Sequence, residues 1–331
     1  MKYPYKILFF LSMLMGTLIS VSSMSWFMAW IGLEINLLSL IPLMKTHDNS
    51  LSSEATIKYF IIQALASMLF LTSTFMEMYL PLNLKETSSF LISLTLFLKM
   101  GAAPLHFWLP EVTSGLNWEM NFLVLTWQKI APMILITLTS MIPMFMAIFI
   151  IFSSFISGVQ GLNQTCLRKI LTYSSINHIS WMLCAILYSL NLWFLYFLIY
   201  TIISANIIII FLNNNTFQLY QINKLLSFNK KIKYFLMMNF LSLGGLPPFL
   251  GFFPKWMTIN FMIKNNQYFL IFCLIILTLT TLYFYIRLCF SSFTISSKES
   301  LIMIFQNLSF FHFFLNFLSL TSLVICLVPS F

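Results

Sequence analysis

Residues 88–110 read SSFLISLTLFLKMGAAPLHFWLP. The first half is the apolar run of a membrane-spanning helix, and Lys99 is the only charged residue in the stretch. A lysine at the centre of such a helix costs roughly 2.5–3.5 kcal/mol on insertion scales. Directly after it, Gly101 adds slack, while Pro104 removes a backbone donor and crowds the preceding turn, so the helix is expected to break near mid-membrane. Broken backbone is tolerated in a bilayer only where protein buries it or a wet cavity lines it. The stretch therefore predicts a helix bundle whose interior holds charge.

Working outward, the chain repeats this arrangement. Residues 244–255 read GGLPPFLGFFPK, with Pro247, Pro248 and Gly251 at the break and Lys255 the only charge between Phe235 and Ile263. Lys129 is the only charge between Met120 and Met144. Overall, 331 residues with 60% hydrophobic and 8% charged side chains exceed what a soluble domain of this size can bury, so the class is all-helical polytopic membrane protein. At ~20 residues per span plus its loop, about eleven passes are expected. The coarse spans are 7–24, 26–44, 57–80, 88–110, 120–139, 141–160, 171–189, 191–212, 235–263, 267–290 and 305–328. Lys2 and Lys6 precede the first, but no small-residue cleavage site follows, so Ile7 onward is read as a span rather than a signal peptide.

The loop charges test that count. One side receives Lys2, Lys6, Lys45, Lys58, Arg168, Lys169, Lys224, Lys230, Lys231, Lys233, Arg287 and Lys298, and the other only Lys85 and Lys264. This asymmetry places the N-terminus on the cytoplasmic or matrix side and the C-terminus opposite. It also accounts for the net charge of +9 without nucleic acid as a partner; membrane lipids are the expected surroundings. The interrupted spans, the fourth and ninth, are five helices apart. An odd offset implies two inverted five-helix repeats, about 7–139 and 141–290, followed by a C-terminal helix about 305–328, all within one transmembrane domain. Paired broken helices in inverted repeats mark the transport site of many transporters, and they would give Lys99 and Lys255 related places.

Glu34, in WIGLEINLL of the second span, is the only acid deep enough to meet a lysine. Desolvation favours the neutral forms of both groups, whereas each charge stabilises the other. A shift of one charge thus changes the proton affinity of its neighbour, which is what a proton pump requires. His106 and His178 are possible relays, each with an alternative as a packing or backbone-capping group. Glu77, Glu111 and Glu119 are read as solvated acids at the membrane edge. The five cysteines (Cys166, Cys184, Cys273, Cys289, Cys326) and four histidines (His47, His106, His178, His312) have no metal or haem spacing, so neither a metal nor a redox cofactor is expected in this chain. Each proton moved costs ~2.3 kcal/mol per 100 mV, and with no nucleotide loop the energy must come from a partner or an ion gradient. Heavy use of Phe, Ile, Asn, Lys and Tyr beside only two arginines is the mark of an A+T-rich genome, mitochondrial or bacterial.

Four segments carry a family resemblance: KMGAAPLHFWLPEV (99–112), WQKIAP (127–132), LRK through YSSINH (167–178), and GLPP through GF to KW (245–256). On these the chain resembles the subunit 2 family of mitochondrial NADH:ubiquinone oxidoreductase, respiratory complex I, in its short animal form. The resemblance implies a proton-pumping role in the membrane arm of the inner mitochondrial membrane, beside other membrane-arm subunits including neighbouring antiporter-like ones. It matches Glu34 and Lys99 to the family's glutamate–lysine pair, Lys129 to its middle lysine and Lys255 to its broken-helix lysine, with Lys255 expected to exchange with the far side. It also implies that FMN, the iron–sulfur clusters and ubiquinone belong to other subunits. Thr172 and Ser180 depart from the alanine and glycine common in the family and bear on helix packing. The rival readings are a cation/proton antiporter subunit and a non-pumping membrane scaffold.

Overall fold

The structure, a computed structural model, describes residues 4–45, 49–79, 85–140, 143–222 and 230–293, together with Phe314, Asn316, Phe317 and Ser319. The rest of the expected span 305–328 lies outside the described residues, as do Lys2, Lys224 and Lys298 of the charge count and His47, His312 and Cys326. The described chain is helical: α1 (Pro4–Ser22), α2 (Trp26–Met44), α3 (Ser50–Tyr79), α4 (Lys85–Met100), α5 (Trp108–Gly115), α6 (Trp118–Leu125), a 3-10 turn (Trp127–Lys129), α7 (Ile130–Thr137), α8 (Pro143–Leu162), α9 (Leu167–Ile186), α10 (Leu190–Asn213), α11 (Lys230–Gly244), α12 (Phe252–Lys264) and α13 (Tyr268–Phe293). An isolated antiparallel bridge joins Cys166 to Gln218.

Among the described residues, seven helical stretches are long and apolar enough to cross a membrane: the bulk of α1, α2, α3, the α6–α7 stretch, α8, α10 and α13. The chain is a polytopic membrane protein. Its exposure pattern fits that solvent: Leu8, Leu11, Met15 and Leu18 line the open face of α1, while Thr17 and Ser20 on the same helix are buried. Serine and threonine hydroxyls inside the helices donate to the carbonyl one turn back, as Ser67 does to Ala64 and Ser73 to Phe70. Such bonds let a polar side chain enter an apolar medium without an outside partner.

Two compact units follow one another in the chain, Met1–Phe149 and Ile150–Phe331. In the first, α3 packs on α2, α4 and α5, and α7 packs on α4 and α1. The tightest pair is α1 with α2, where Gly16 and Gly32 let the backbones touch: a Cβ at Gly32 would stand 2.6 Å from the Ser20 nitrogen. Close approach through small residues is how helices associate where lipid offers no hydrophobic drive. In the second unit, α10 packs on α9, α11 and α12, and α13 packs on α11, α12 and α9. Gly32→Val should force α1 away from α2 at a cost of about 1–3 kcal/mol. The expected result is a lower thermal-inactivation midpoint of the membrane complex and less assembled protein on native gels.

Candidate functional site

The break after Lys99 is built from the helix end outward. Gly101 has φ +75, a conformation glycine adopts freely, and the amides of Gly101 and Ala102 both return to the Phe97 carbonyl at 3.0 Å. Side chains complete the helix end: Trp108 Nε1 donates to Leu98 O at 3.0 Å, beside the Gly101 amide at 3.2 Å, and Gln63 Nε2 donates to Lys99 O at 3.2 Å. Lys99 itself, in the last turn of α4, is only 6% exposed. Beside it Asn36, Tyr59, Gln63 and Gln128, with Leu33, Leu37 and Pro132, line a small cavity with room for about one water molecule. Gln128 Nε2 donates to Asn36 Oδ1 at 2.8 Å, which ties the 3-10 turn to α2 across this cavity.

Lys129 closes that turn and is 1% exposed. The turn interrupts the span expected to run unbroken over 120–139 and packs on α4. The reason is Pro132, which has no amide hydrogen to give the Gln128 carbonyl and whose ring would clash with it in a continuous helix. The chain turns at Trp127–Lys129 and restarts as α7, with Pro132 in the first helical turn where the missing donor costs nothing.

In the second unit α11 ends as α4 does. Gly245 has φ +79, its amide returns to Ser242 O at 3.0 Å, and the Leu246 amide returns to Leu241 O at 3.3 Å. Here the lysine caps the leftover carbonyls itself: Lys255 Nζ donates to Gly244 O at 2.9 Å and Leu243 O at 3.4 Å. Lys255 stands in the first turn of α12, the positive end of its own helix, and so reaches back to the negative end of α11. Its ammonium also lies 5.9 Å from the centre of the Trp181 ring, and the residue is 6% exposed. Gly251 leaves no room for a side chain, since a Cβ would fall 1.7 Å from the Ser242 carbonyl. Lys99 and Lys255 are thus not equivalent: the first ends the half-helix before its break, and the second begins the half-helix after its own. Pro104, Pro247 and Pro248 lie in the breaks themselves, between α4 and α5 and between α11 and α12.

The remaining expected residues divide. Glu34 acts on Lys99 through space, but the two make no direct ion pair; among the described residues the ion pairs are Lys58 with Glu54 at 2.9 Å and with Glu111 at 3.0 Å. Glu34 Oε1 is buried and has no hydrogen-bond partner. His106 is fully buried in the α4–α5 break, with Nδ1 3.3 Å from Pro104 O, so it serves freed backbone. His178, in mid-α9, pairs Nδ1 with the Tyr196 hydroxyl at 2.9 Å. Glu111 and Glu119 are exposed as expected, whereas Glu77 is half-buried with Oε2 enclosed and unpartnered, because the helix face that carries it turns partly inward. Thr172 and Ser180 are fully buried and bond to the carbonyls of Lys169 and Asn177, which lets a hydroxyl stand in an apolar packing position. Among the described residues no three His, Cys, Asp or Glu side chains gather as metal ligands.

The model of the family described as NADH:quinone oxidoreductase/Mrp antiporter, transmembrane, matches residues 23–281. NADH-ubiquinone oxidoreductase chain 2 of Anopheles gambiae is 46% identical over 326 residues, 96% of this chain and 95% of that one. The protein of the same name from Sylvisorex lunaris is 36% identical over 331 residues, again covering 96% and 95%. The chain belongs to the NADH-ubiquinone oxidoreductase chain 2 family. A chain of respiratory complex I from Thermus thermophilus shares the fold, with a TM-score of 0.88 at 21% identity over 99% of this chain and 80% of that one.

For a member of the chain 2 family, the feature that sequence reasoning missed is the third interruption, at Trp127–Lys129. Its signal was present. α5, α7 and α12 all restart with a proline in their first turn (Pro110, Pro132, Pro254), and each restart stands beside one of the three lysines. Gln63, Asn36, Gln128 and Trp108 were also missed, because an amide or indole within an apolar run carries no charge to announce it. Gln63→Leu leaves the Lys99 carbonyl without its donor, at a cost of about 1–3 kcal/mol, and Trp108→Phe leaves the Leu98 carbonyl only the Gly101 amide, at a smaller cost. Both should lower the thermal midpoint of the assembled complex, and Tyr59→Phe, whose hydroxyl caps no helix-end carbonyl, should lower it less.

Proposed function

We propose that this chain is a proton-translocating membrane-arm subunit of NADH:ubiquinone oxidoreductase, a coupled pump that carries no redox chemistry of its own. The observation that carries the reading is three lysines buried in membrane helices, each at an interruption where the backbone gives way to side chains and, beside Lys99, to room for water. Ionisable groups at such depth are retained where charge has to move. Glu34 sets the charge state of Lys99 without clasping it, since a direct pair would hold both charges fixed. Lys129 then carries protons along the axis, and Lys255 exchanges with the far side. Supporting this are the family membership and the Glu34–Lys99 influence through space.

The wider arrangement belongs to the same proposal: eleven passes in two inverted five-helix repeats with a C-terminal helix, the N-terminus in the matrix and the C-terminus in the intermembrane space. The location is the mitochondrial inner membrane, with its lipids around the bundle. The partners are other membrane-arm subunits, neighbouring antiporter-like subunits among them. FMN, the iron–sulfur clusters and ubiquinone are held elsewhere in the complex. Lys99→Met removes the titrating group at similar length, so NADH-driven proton pumping by the assembled, reconstituted complex should fall. An unchanged proton-to-electron ratio would refute the assigned role and favour a scaffold.

A further inference from the structure

Three asparagines form a buried chain in the second unit. Asn206 of α10, Asn239 of α11 and Asn316 are each 1% exposed or less. Asn206 Nδ2 donates to Asn239 Oδ1 at 3.5 Å, and Asn239 Nδ2 donates to Asn316 Oδ1. Ser319, three residues beyond Asn316 and also buried, holds its hydroxyl 3.2 Å from Asn239 Oδ1 and 2.8 Å from Asn316 O, so one proton is shared between two acceptors. The neighbouring Phe314 and Phe317 are exposed, so this segment turns its polar side inward and its aromatic side to the lipid. Asn239 thus commits both the donor and the acceptor of its amide to groups outside its own helix.

The same groups reach both sides of the second helix break. Asn239 lies in the last turns of α11, which ends at Gly244, and its backbone carbonyl accepts from Ser242 Oγ at 2.7 Å. The three carbonyls that follow shape the break. Ser242 O accepts from the Gly245 amide and has Gly251 pressed against it, while Leu243 O and Gly244 O accept from Lys255 Nζ. Beyond the break, the Leu250 amide donates to Ser319 O at 3.5 Å, two residues before α12 begins at Phe252. Asn316 and Ser319 therefore hold the end of α11 through side chains and the approach to α12 through backbone.

We infer that Asn239, Asn316 and Ser319 brace the second break, and that Asn239 is a positioning residue for Lys255. Apolar packing has no direction, so helices held by it alone can rotate or slide by a fraction of a turn. A buried amide fixes the register, because both its donor and its acceptor have to find matched partners. With Asn239 held, the last turn of α11 presents the Leu243 and Gly244 carbonyls at the place where the ammonium of Lys255 meets them. With Leu250 held, the start of α12 keeps Lys255 within reach of them. The first unit meets the same need with Gln63, an amide on the neighbouring helix α3 that holds the Lys99 carbonyl.

The inference rests on the pumping role proposed above, and one set of variants separates the two. Asn239→Leu, Asn316→Leu, Lys255→Met and the double variant Asn239→Leu with Lys255→Met are compared with the unaltered complex. Each is assembled and reconstituted in vesicles, and the amount assembled is read separately from the proton-to-electron ratio of what assembles. Both asparagine variants should lose at least half as much of the ratio as Lys255→Met does. The double variant should lose no more than Lys255→Met alone, because the brace acts through the lysine. A group that only stabilises the bundle would lower the amount assembled and leave the ratio intact. That result in both asparagine variants, with Lys255→Met impaired, would overturn the positioning and leave the pumping role standing, as would a further loss in the double variant. A full ratio in Lys255→Met would overturn the role and the positioning together. Should the single asparagine variants fail to assemble, Asn239→Leu with Asn316→Leu removes both amides, so neither faces an apolar residue, and Ser319→Ala deletes only a hydroxyl. Both are held to a loss of ratio in the assembled complex, and a full ratio in both would overturn the brace.

Discussion

Where a helix stops inside a membrane, its last carbonyls have no water to turn to, and the rest of this structure is arranged around supplying them with donors. α4 and α11 both stop on a glycine with positive φ, which folds two amides back onto the helix end. Each still leaves carbonyls over. At α4 Gln63 meets one and Trp108 adds a second donor to the Leu98 carbonyl, and at α11 Lys255 meets them. The polar side chains buried near the breaks are therefore held there first by backbone satisfaction. Their chemistry grows out of that requirement.

The two breaks solve the same problem with different charge. In the first unit neutral donors cap the helix end, which leaves the Lys99 ammonium free of that duty beside a cavity that also holds Asn36, Tyr59 and Gln128. In the second unit the ammonium of Lys255 is itself the cap. As a neutral amine it would keep two hydrogens for those carbonyls but bind them more weakly than the ammonium does, so the charge state of Lys255 and the local backbone are coupled. Glu34 shows a third arrangement: a carboxylate with a buried oxygen that has no hydrogen-bond partner and no direct ion pair with Lys99. A buried ion pair in direct contact is a stable endpoint, whereas charges that interact at a distance can be reset by the movement of a third.

Much of this was legible in the residues. Lys99, Lys129 and Lys255 were visible because a lone charge in a long apolar run has few structural excuses. Gly101, Pro104, Pro247 and Pro248 marked the two interruptions because glycine and proline act on the backbone wherever they stand. Pro132 was equally visible, but one proline near the middle of a span reads as a kink until the position of the helix restart is known. The uncharged partners, Gln63, Gln128, Asn36 and Trp108, were not legible, since an amide or indole has many possible roles and its partner lies on another helix.

The sequence by itself determined the class of protein, the place of the lysines in membrane helices and two of the interruptions, because hydropathy, charge and backbone chemistry are properties of single residues and their neighbours in the chain. Only the tertiary structure decided which donors close the broken helices, that Glu34 and Lys99 interact without touching, and that Lys255 reaches back to the helix before it. Those outcomes depend on which faces of separate helices meet, and a difference of one helical turn would exchange a carbonyl for a side chain.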